Sequence, residues 1–493
     1  WSSDVCSSDL RLAPQWRPLG GTAATTMEAP QRFGFRGLVL LLASVALGQV
    51  TWVEPWFVTA QGGHFSDVYA KDLGQGSFDT FISAMGEEDL LFVDFYAPWC
   101  PHCQHFIPDW ERFALAASQT KSRQHITVAT VDCVRDSGLC DKWNIQSYPT
   151  LVAGKKSQWA THATTVLDRG DGIFGIADWL RKNTGVDVKL PDVDQFKAML
   201  TERREAQFGA HKAKEHKKVV KADSWDALEA MALLLRNIFS SRNFRQGPPE
   251  DKQALITFVG TACQALPASN VTCRESACEF ERQLKQDFFS AVPATPDDDP
   301  NWVLCNRQSW NDFAVGFTAQ CKGTWPGKRG FTCGLWTLFH MMLASAPAGK
   351  GPEVLSGIRT TLLSFFDCED CRAHFATIPF EAGEISDNRL AMLWMWNAHN
   401  QVNERVRQLE EMYQDGDPSW PKQQWPSPQD CPSCRRAALR GAPAPAATAL
   451  MVDAEDGQPV PDVPVARTTI EDARKAGWDL DGVVKFLRDT YEL

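Results

Sequence analysis

Hydrophobic residues follow two different periods along this chain. From about His64 to Val186 the pattern is strand, turn, helix, strand. Within it LLFVDFY (Leu90 to Tyr96) reads as an apolar strand. After the turn Trp99-Cys100-Pro101-His102-Cys103 the chain continues to Ala114 as an amphipathic helix. Beyond Asp223 the period is helical. It runs through DALEAMALLLRNIF (Asp226 to Phe239), ALITFVGTACQAL (Ala254 to Leu266) and CEFERQLKQDFFSAV (Cys278 to Val292), and it returns in WDLDGVVKFLRDTYEL (Trp478 to Leu493).

Three further helical stretches carry aromatic and polar residues where a packing helix would show Leu, Ile and Val. They are RGFTCGLWTLFHMML (Arg329 to Leu343), FFDCEDCRAHF (Phe365 to Phe375) and LWMWNAHNQVNERV (Leu393 to Val406). Trp336 lies four residues before His340, and Cys371 three before His374. Trp396, His399, Asn400 and Asn403 fall at i, i+3, i+4 and i+7, so each set shares one helix face. A bundle core with a few satisfied polar groups explains any one of these helices. Three of them around a Cys-x-x-Cys point to a planar ligand held beside a redox disulfide, since bundles build cofactor sites from facing helices.

Composition divides the rest. Residues 1–26 read as neither targeting nor fold, a non-native or unassigned leader. Met27, Arg32 and Arg36 precede LVLLLASVAL (Leu38 to Leu47) and Gly48, which describes a secretory signal peptide over 27–48. Its apolar run is too short to span a bilayer, and no transmembrane anchor is evident elsewhere. The expected organisation is an α/β domain over 49–186, a charged linker over 187–222 and a helical unit over 223–295. A second helical unit over 300–436, an Ala/Pro-rich loop over 437–465 and a C-terminal helix over 466–493 follow. A net charge of −11 argues against a nucleic-acid binder, which needs a basic surface.

The chain has fifteen Cys; setting Cys6 aside with the leader leaves an even number. Close pairs are Cys100/Cys103, Cys133/Cys140, Cys368/Cys371 and Cys431/Cys434. Zinc would need two such pairs at one site, and these sit in different contexts, so no metal is assigned. Disulfides in an oxidising compartment fit, with the signal peptide placing the chain in the secretory lumen or outside the cell. Cys133/Cys140 reads as a structural bridge. Cys263, Cys273, Cys278 and Cys305 can pair in three ways. Asn270-Val271-Thr272 is a glycosylation sequon.

The segment Leu90 to Ala114 resembles the thioredoxin fold, close to its protein disulfide isomerase branch. A Cys-x-x-Cys that opens a helix puts the first thiolate at the positive end of the dipole, which lowers its pKa. Cys100 is then the nucleophile and Cys103 the resolving thiol, and His102 between them favours the thiolate. The resemblance assigns Asp94 as proton acceptor for the resolving thiol and Ser147-Tyr148-Pro149-Thr150 as the cis-proline loop.

The signal peptide, this domain, a helical spacer and then CGLWTLFH, CEDCRAHF and WNAHNQVN in that order together resemble quiescin sulfhydryl oxidase, whose second half is an Erv/ALR flavin module. The resemblance implies a multidomain chain: an α/β thioredoxin fold, an all-α helical spacer related to a degenerate Erv-like unit, and an FAD-binding Erv/ALR-type four-helix bundle. It also implies a thiol oxidase that forms disulfides in reduced protein clients and passes electrons through Cys100/Cys103, Cys368/Cys371 and FAD to molecular oxygen, giving hydrogen peroxide. By motif, Cys368 is the sulfur attacked from Cys100, and Cys371 the one next to the flavin. The implied flavin contacts are Arg329, Trp336, His340, Asp370, His374, Trp396, His399, Asn400, Asn403, Lys422 and Trp425. Cys321–Cys333 matches a structural bridge; Cys431–Cys434 matches the family's distal Cys-x-x-Cys and is read here as structural. The segment after Val186 is too short for the second thioredoxin domain of animal forms, so the shorter architecture of plants and protists is expected. Rival readings are a disulfide isomerase with a non-catalytic helical tail, and a secreted disulfide-stapled scaffold that would leave WCPHC unexplained.

Overall fold

The strand that carries Asp94 is the centre of a five-stranded sheet. In this computed structural model the described residues are 69–168, 172–208, 221–222, 224–240, 248–267, 269, 271–288, 317–318, 320–323, 328–413, 416–417, 419–436 and 467–492. The leader, the signal segment, Asn270 and Cys305 lie outside them. Strand β2 (Leu90–Tyr96) is buried along its whole length, as a run with one polar residue in seven requires. It pairs parallel with β3 (Ile126–Asp132) and antiparallel with β4 (Thr150–Lys155). The short strands β1 (Lys71–Asp72) and β5 (Thr165–Val166) close the order β1-β3-β2-β4-β5. Helix α1 (Phe78–Ala84) precedes β2, and α2 (Pro101–Gln119) follows it. Helices α3 (Ser137–Lys142), α4 (Lys156–Thr161) and α5 (Gly172–Thr184) complete this mixed α/β domain. Trp110 of α2 donates its indole N–H to the Ala129 carbonyl at 3.1 Å, which holds the helix on the sheet. Cys133 and Cys140 are bridged beside it.

The segment expected as a charged linker starts with a packed helix. Phe196 and Leu200 of α6 (Val193–Phe208) are buried. Tyr69 meets Phe196 ring to ring at 6.1 Å, and Arg112 Nε donates to the Pro191 carbonyl at 2.6 Å. The chain therefore folds back on α2 before it leaves the domain.

The remaining helices pair across the two helical units. Helix α7 (Ser224–Ser240) packs on α10 (Gly330–Ala344), and α8 (Pro249–Ala265) packs on both α9 (Val271–Gln286) and α11 (Gly351–Phe365). Helix α12 (Glu369–Ala376) carries the second Cys-x-x-Cys, and α13 (Asn388–Tyr413) crosses α10 and α11. The expected C-terminal helix is two helices, α14 (Ile470–Lys475) and α15 (Leu480–Tyr491). Cys263 pairs with Cys278, and Cys321 with Cys333. Buried Asp226 ties the units together, accepting from the Thr318 N–H and hydroxyl at 2.6 and 2.7 Å and from the Cys321 N–H at 3.1 Å. One apolar core runs from Tyr96, Trp99 and Cys100 of the sheet domain into the helical units. Among the described residues no helix is long and apolar enough to cross a membrane.

Gly334 sets the spacing of α7 and α10. A Cβ there would lie 2.6 Å from the Asp226 carbonyl oxygen and 2.7 Å from the Ala230 Cβ. Gly334→Ala should destabilise the helical units by about 1–3 kcal/mol through overpacking, read as a lower urea midpoint. An unchanged midpoint would contradict this close approach.

Candidate active site

Two cysteine pairs meet where the sheet domain joins the bundle. Cys100 is the N-cap of α2 and Cys368 the N-cap of α12. Each first sulfur of a pair therefore stands at helix N–H groups that lack an intrahelical partner. At α12 the Cys371 N–H donates to Cys368 Sγ at 3.3 Å. Cys100 and Cys103 are reduced and buried, whereas Cys368 and Cys371 are bridged. The Cys100 and Cys368 sulfurs and a His102 ring nitrogen all lie within 4.8 Å of one another. His102 Nδ1 is 3.5 Å from Cys368 Sγ, and its Nε2 is 3.5 Å from Asp370 Oδ2. These are metal-ligating residue types, but a disulfide sulfur is not a thiolate donor. In this redox state the trio is arranged for sulfur exchange.

Apolar contacts seat the pairs. The Trp99 ring lies 5.0 Å from both Phe331 and Phe366 and 6.3 Å from Tyr148. His105 stacks on Tyr413, the last residue of α13, at 4.7 Å. The Tyr148–Pro149 bond is cis, and Cys100 Sγ lies 3.7 Å from the Tyr148 carbonyl.

The two thiols of the first pair are pulled apart electrostatically. Burial pushes Cys100 up, but hydrogen bonding to Cys103 and His102 and the His102 charge outweigh it and hold Cys100 well below the ordinary thiol value. Burial raises Cys103, and Cys100 and the Asp94 carboxylate raise it further. The thiolate therefore sits on Cys100 and the proton on Cys103. Burial pushes the Asp367 carboxyl, next to Cys368, up to about 7 despite Arg372, with Asp141 and Cys100 adding to the rise.

A second cluster lies between α10, α13 and the chain around Trp425. His340 Nε2 and His399 Nδ1 are 3.1 Å apart, so one donates and the other accepts. Trp336 stacks on His399 at 4.1 Å with the rings 3° from parallel. Trp425 lies 5.5 Å from His340. Burial lowers His340 to about 3, and burial with nearby His340, Lys422 and Arg329 holds His399 well below its ordinary value. Both imidazoles are thus neutral at pH 7.

Cations crowd one end of this cluster. Burial lowers Lys422, and Lys328 and Arg329 lower it further against Glu410. Lys422 and Lys328 reach Glu410 at 3.3 and 3.8 Å. Burial also lowers Arg329, whose guanidinium lies 4.1 Å over the Trp420 ring. Its backbone φ of 65° is left-handed, the kind of strain that collects at functional sites. Flat aromatic walls, neutral hydrogen-bonding imidazoles and desolvated, mutually repelling cations suit a planar ring system joined to an anion. A flavin dinucleotide with its pyrophosphate has that form.

The expected contacts divide by position. Arg329, Trp336, His340, His399, Lys422 and Trp425 converge on the second cluster. Trp396 and Asn400 hold the Trp425 backbone instead: the Trp396 indole and the Asn400 amide donate to its carbonyl at 2.7 and 2.8 Å, and Asn400 Oδ1 accepts from its N–H at 2.7 Å. Asn403 donates to the Gln423 carbonyl at 3.4 Å. Asp370 faces His102, and His374 lies half-buried one turn further along α12. Sequence reasoning passed over Glu410, although it extends the Asn403 stripe by one heptad. It also passed over Asp367, beside Cys368, and Tyr491, whose ring stacks on His340 at 5.0 Å.

Two protein families match the chain: Thioredoxin over residues 70–172 and the Erv1 / Alr family over residues 333–426. Among curated proteins, "Sulfhydryl oxidase 1" of Oryza sativa subsp. japonica is 26% identical over 393 residues, covering 75% of this chain and 72% of its own. "Sulfhydryl oxidase 2" of Arabidopsis thaliana is 26% identical over 400 residues, covering 74% of each. "Sulfhydryl oxidase 1" of Gallus gallus is 37% identical over 475 residues, covering 71% of this chain and 62% of its own.

The Cys100 thiolate should be visible in its absorbance near the ultraviolet thiolate band as the reduced protein is titrated. Its midpoint is expected below the ordinary thiol value of about 8.5, and His102→Ala should move it upward. A midpoint at or above that value in the unaltered protein would contradict the electrostatics described.

Proposed function

We propose that this chain is a quiescin-type sulfhydryl oxidase, a thiol oxidase that relays electrons from reduced protein dithiols to oxygen through two adjoining cysteine pairs. The observation that carries this reading is the 4.8 Å limit on the separation of Cys100, His102 and Cys368. A client dithiol first reduces the Cys100–Cys103 disulfide. The Cys100 thiolate then attacks Cys368 Sγ, forming a Cys100–Cys368 bond and expelling Cys371 as a thiolate. His102 Nδ1 lies 3.5 Å from the Cys368 sulfur and its Nε2 3.5 Å from Asp370 Oδ2, so with protons on both nitrogens it can donate to both. Cys103 gives its proton to Asp94 and attacks Cys100, closing the first disulfide and releasing Cys368. Two electrons have then passed between the pairs.

Arg329 and Lys422 would hold the pyrophosphate of a bound FAD; Trp336, His340, His399 and Trp425 would enclose its flat rings. A flavin in that site supplies the capacity to take an electron pair from Cys371 and deliver it to oxygen as hydrogen peroxide. The neutral imidazoles of His340 and His399 can hydrogen-bond it without adding charge. Trp396, Asn400 and Asn403 act at one remove, by fixing the chain at 423–425. Asp370 orients His102, and His374 extends the same helix face. Cys133–Cys140, Cys263–Cys278, Cys321–Cys333 and Cys431–Cys434 are structural bridges in this scheme. The Met27–Gly48 signal pattern supports action in the secretory pathway or outside the cell, and the Asn270 sequon supports glycosylation.

Purified protein reconstituted with FAD should show a bound-flavin visible spectrum; a colourless product would defeat the oxidase reading of the second cluster. Cys368→Ser and Cys371→Ser should each abolish oxygen uptake with a reduced protein client. Cys100→Ser should block protein clients but leave slow oxidation of small dithiols at the second pair. Equal loss of both substrates in Cys100→Ser would refute the two-pair relay.

A further inference from the structure

We propose that the Cys431–Cys434 turn is a clamp that seats helix α15 against the flavin cluster, with Tyr491 as a positioning residue for His340. The proposal rests on the flavin reading of that cluster. Its basis is the way the C-terminal helices are held.

The disulfide closes a short 3-10 turn at Pro432–Cys434. Its backbone binds the start of α15 directly. The Asp479 N–H donates to the Cys434 carbonyl at 3.0 Å, and the Arg436 N–H donates to the Gly477 carbonyl at 3.0 Å. Gly482, in the first turn of α15, passes so close that a Cβ would lie 2.4 Å from the Ser433 carbonyl oxygen. The approach therefore demands glycine there and a fixed turn opposite it. Cys434 is fully buried in this contact. A bridge between residues three apart does little for long-range chain entropy. What it does here is hold the 431–434 carbonyls in the shape that α15 meets.

The other end of α15 reaches the cluster. Tyr491 stacks on His340 with centroids 5.0 Å apart and planes at 24°. It also lies 5.9 Å from Trp425, and Phe486 one turn earlier lies 5.2 Å from the same ring. Val483 and Leu487 are buried on the same side of the helix. The Ala222 N–H donates to the Thr490 carbonyl at 2.9 Å, which fixes the helix end. Trp478, just before α15, meets Trp396 edge-on at 4.7 Å. One helix thus touches His340 and Trp425, and the loop before it touches the Trp396 that supports the Trp425 backbone. Loosening the turn should loosen the wall of the ligand site.

The test uses full-length protein loaded with FAD. Three measurements are made: hydrogen exchange of α15 amides, the first-order rate of flavin release by fluorescence recovery, and that rate in Tyr491→Ala and Tyr491→Phe. The paired substitution Cys431→Ser with Cys434→Ser should speed exchange in α15 while leaving β2 protected. Gly482→Ala, which keeps the disulfide, should do the same. Both should release flavin faster. Tyr491→Ala should do so by about two- to tenfold, the range of an aromatic pair, and Tyr491→Phe should restore the original rate because the ring carries the contact.

Unchanged exchange in α15 in both turn variants would overturn the clamp. Loosened exchange with an unchanged release rate, or a Tyr491→Phe rate equal to Tyr491→Ala, would overturn the role given to Tyr491. Failure of the unaltered protein to take up flavin would instead refute the reading of the cluster, and exchange in the apoprotein would still decide the clamp.

Discussion

The structure depends on bringing a buried thiolate against a buried disulfide. Cys100 and Cys368 are both withdrawn from water, and a charge in such a place needs a partner. His102 supplies it from between the sulfurs. The surfaces that close around them are aromatic rather than charged: Trp99 against Phe331 and Phe366, and His105 against Tyr413. Apolar seating excludes water from the exchange. Asp370, at the far ring nitrogen, sets the imidazole's orientation while staying in contact with solvent.

The two cysteine pairs repeat one local device. A strand or loop delivers a cysteine to a helix N-cap, and the second cysteine follows inside the first turn. At α2 the surroundings separate the pair into a low thiol and a high one, so attack has a direction. At α12 the first sulfur faces His102 of the other domain, and the second is bridged to it inside the first turn. The cluster solves a different problem. Its cations are buried and repel each other, with Glu410 and Asp417 as the counter-charges. An arrangement of that kind is costly unless an anion completes it, which is the strongest physical argument for a phosphate-bearing ligand.

Much of this was legible in sequence because it is local. LLFVDFY followed by WCPHC specifies a buried strand, a turn and a helix with cysteine at its start. The i, i+3, i+4, i+7 spacing of Trp396, His399, Asn400 and Asn403 places them along one helix, though not what each touches. Trp396 and Asn400 turned out to support the Trp425 backbone, a contact 25 to 29 residues away. Asp370 meets His102 across 268 positions of chain, 370 less 102, and Tyr491 meets His340 across 151, 491 less 340. No periodic signal marks such pairs. The charged stretch after Val186 hid Phe196 and Leu200, two apolar anchors too sparse to outweigh the surrounding lysines and glutamates. Cys263 with Cys278 was one of three open pairings, and only the packing of α8 on α9 chooses it.

The central claim is that Cys100 attacks Cys368 directly. It is tested by removing both resolving sulfurs, as Cys103→Ser with Cys371→Ser, oxidising the protein mildly at low concentration, and mapping disulfide-linked peptides by mass spectrometry. An intramolecular Cys100–Cys368 crosslink is predicted as the dominant product. Recovery of only intermolecular dimers, or of both cysteines unpaired, would contradict it.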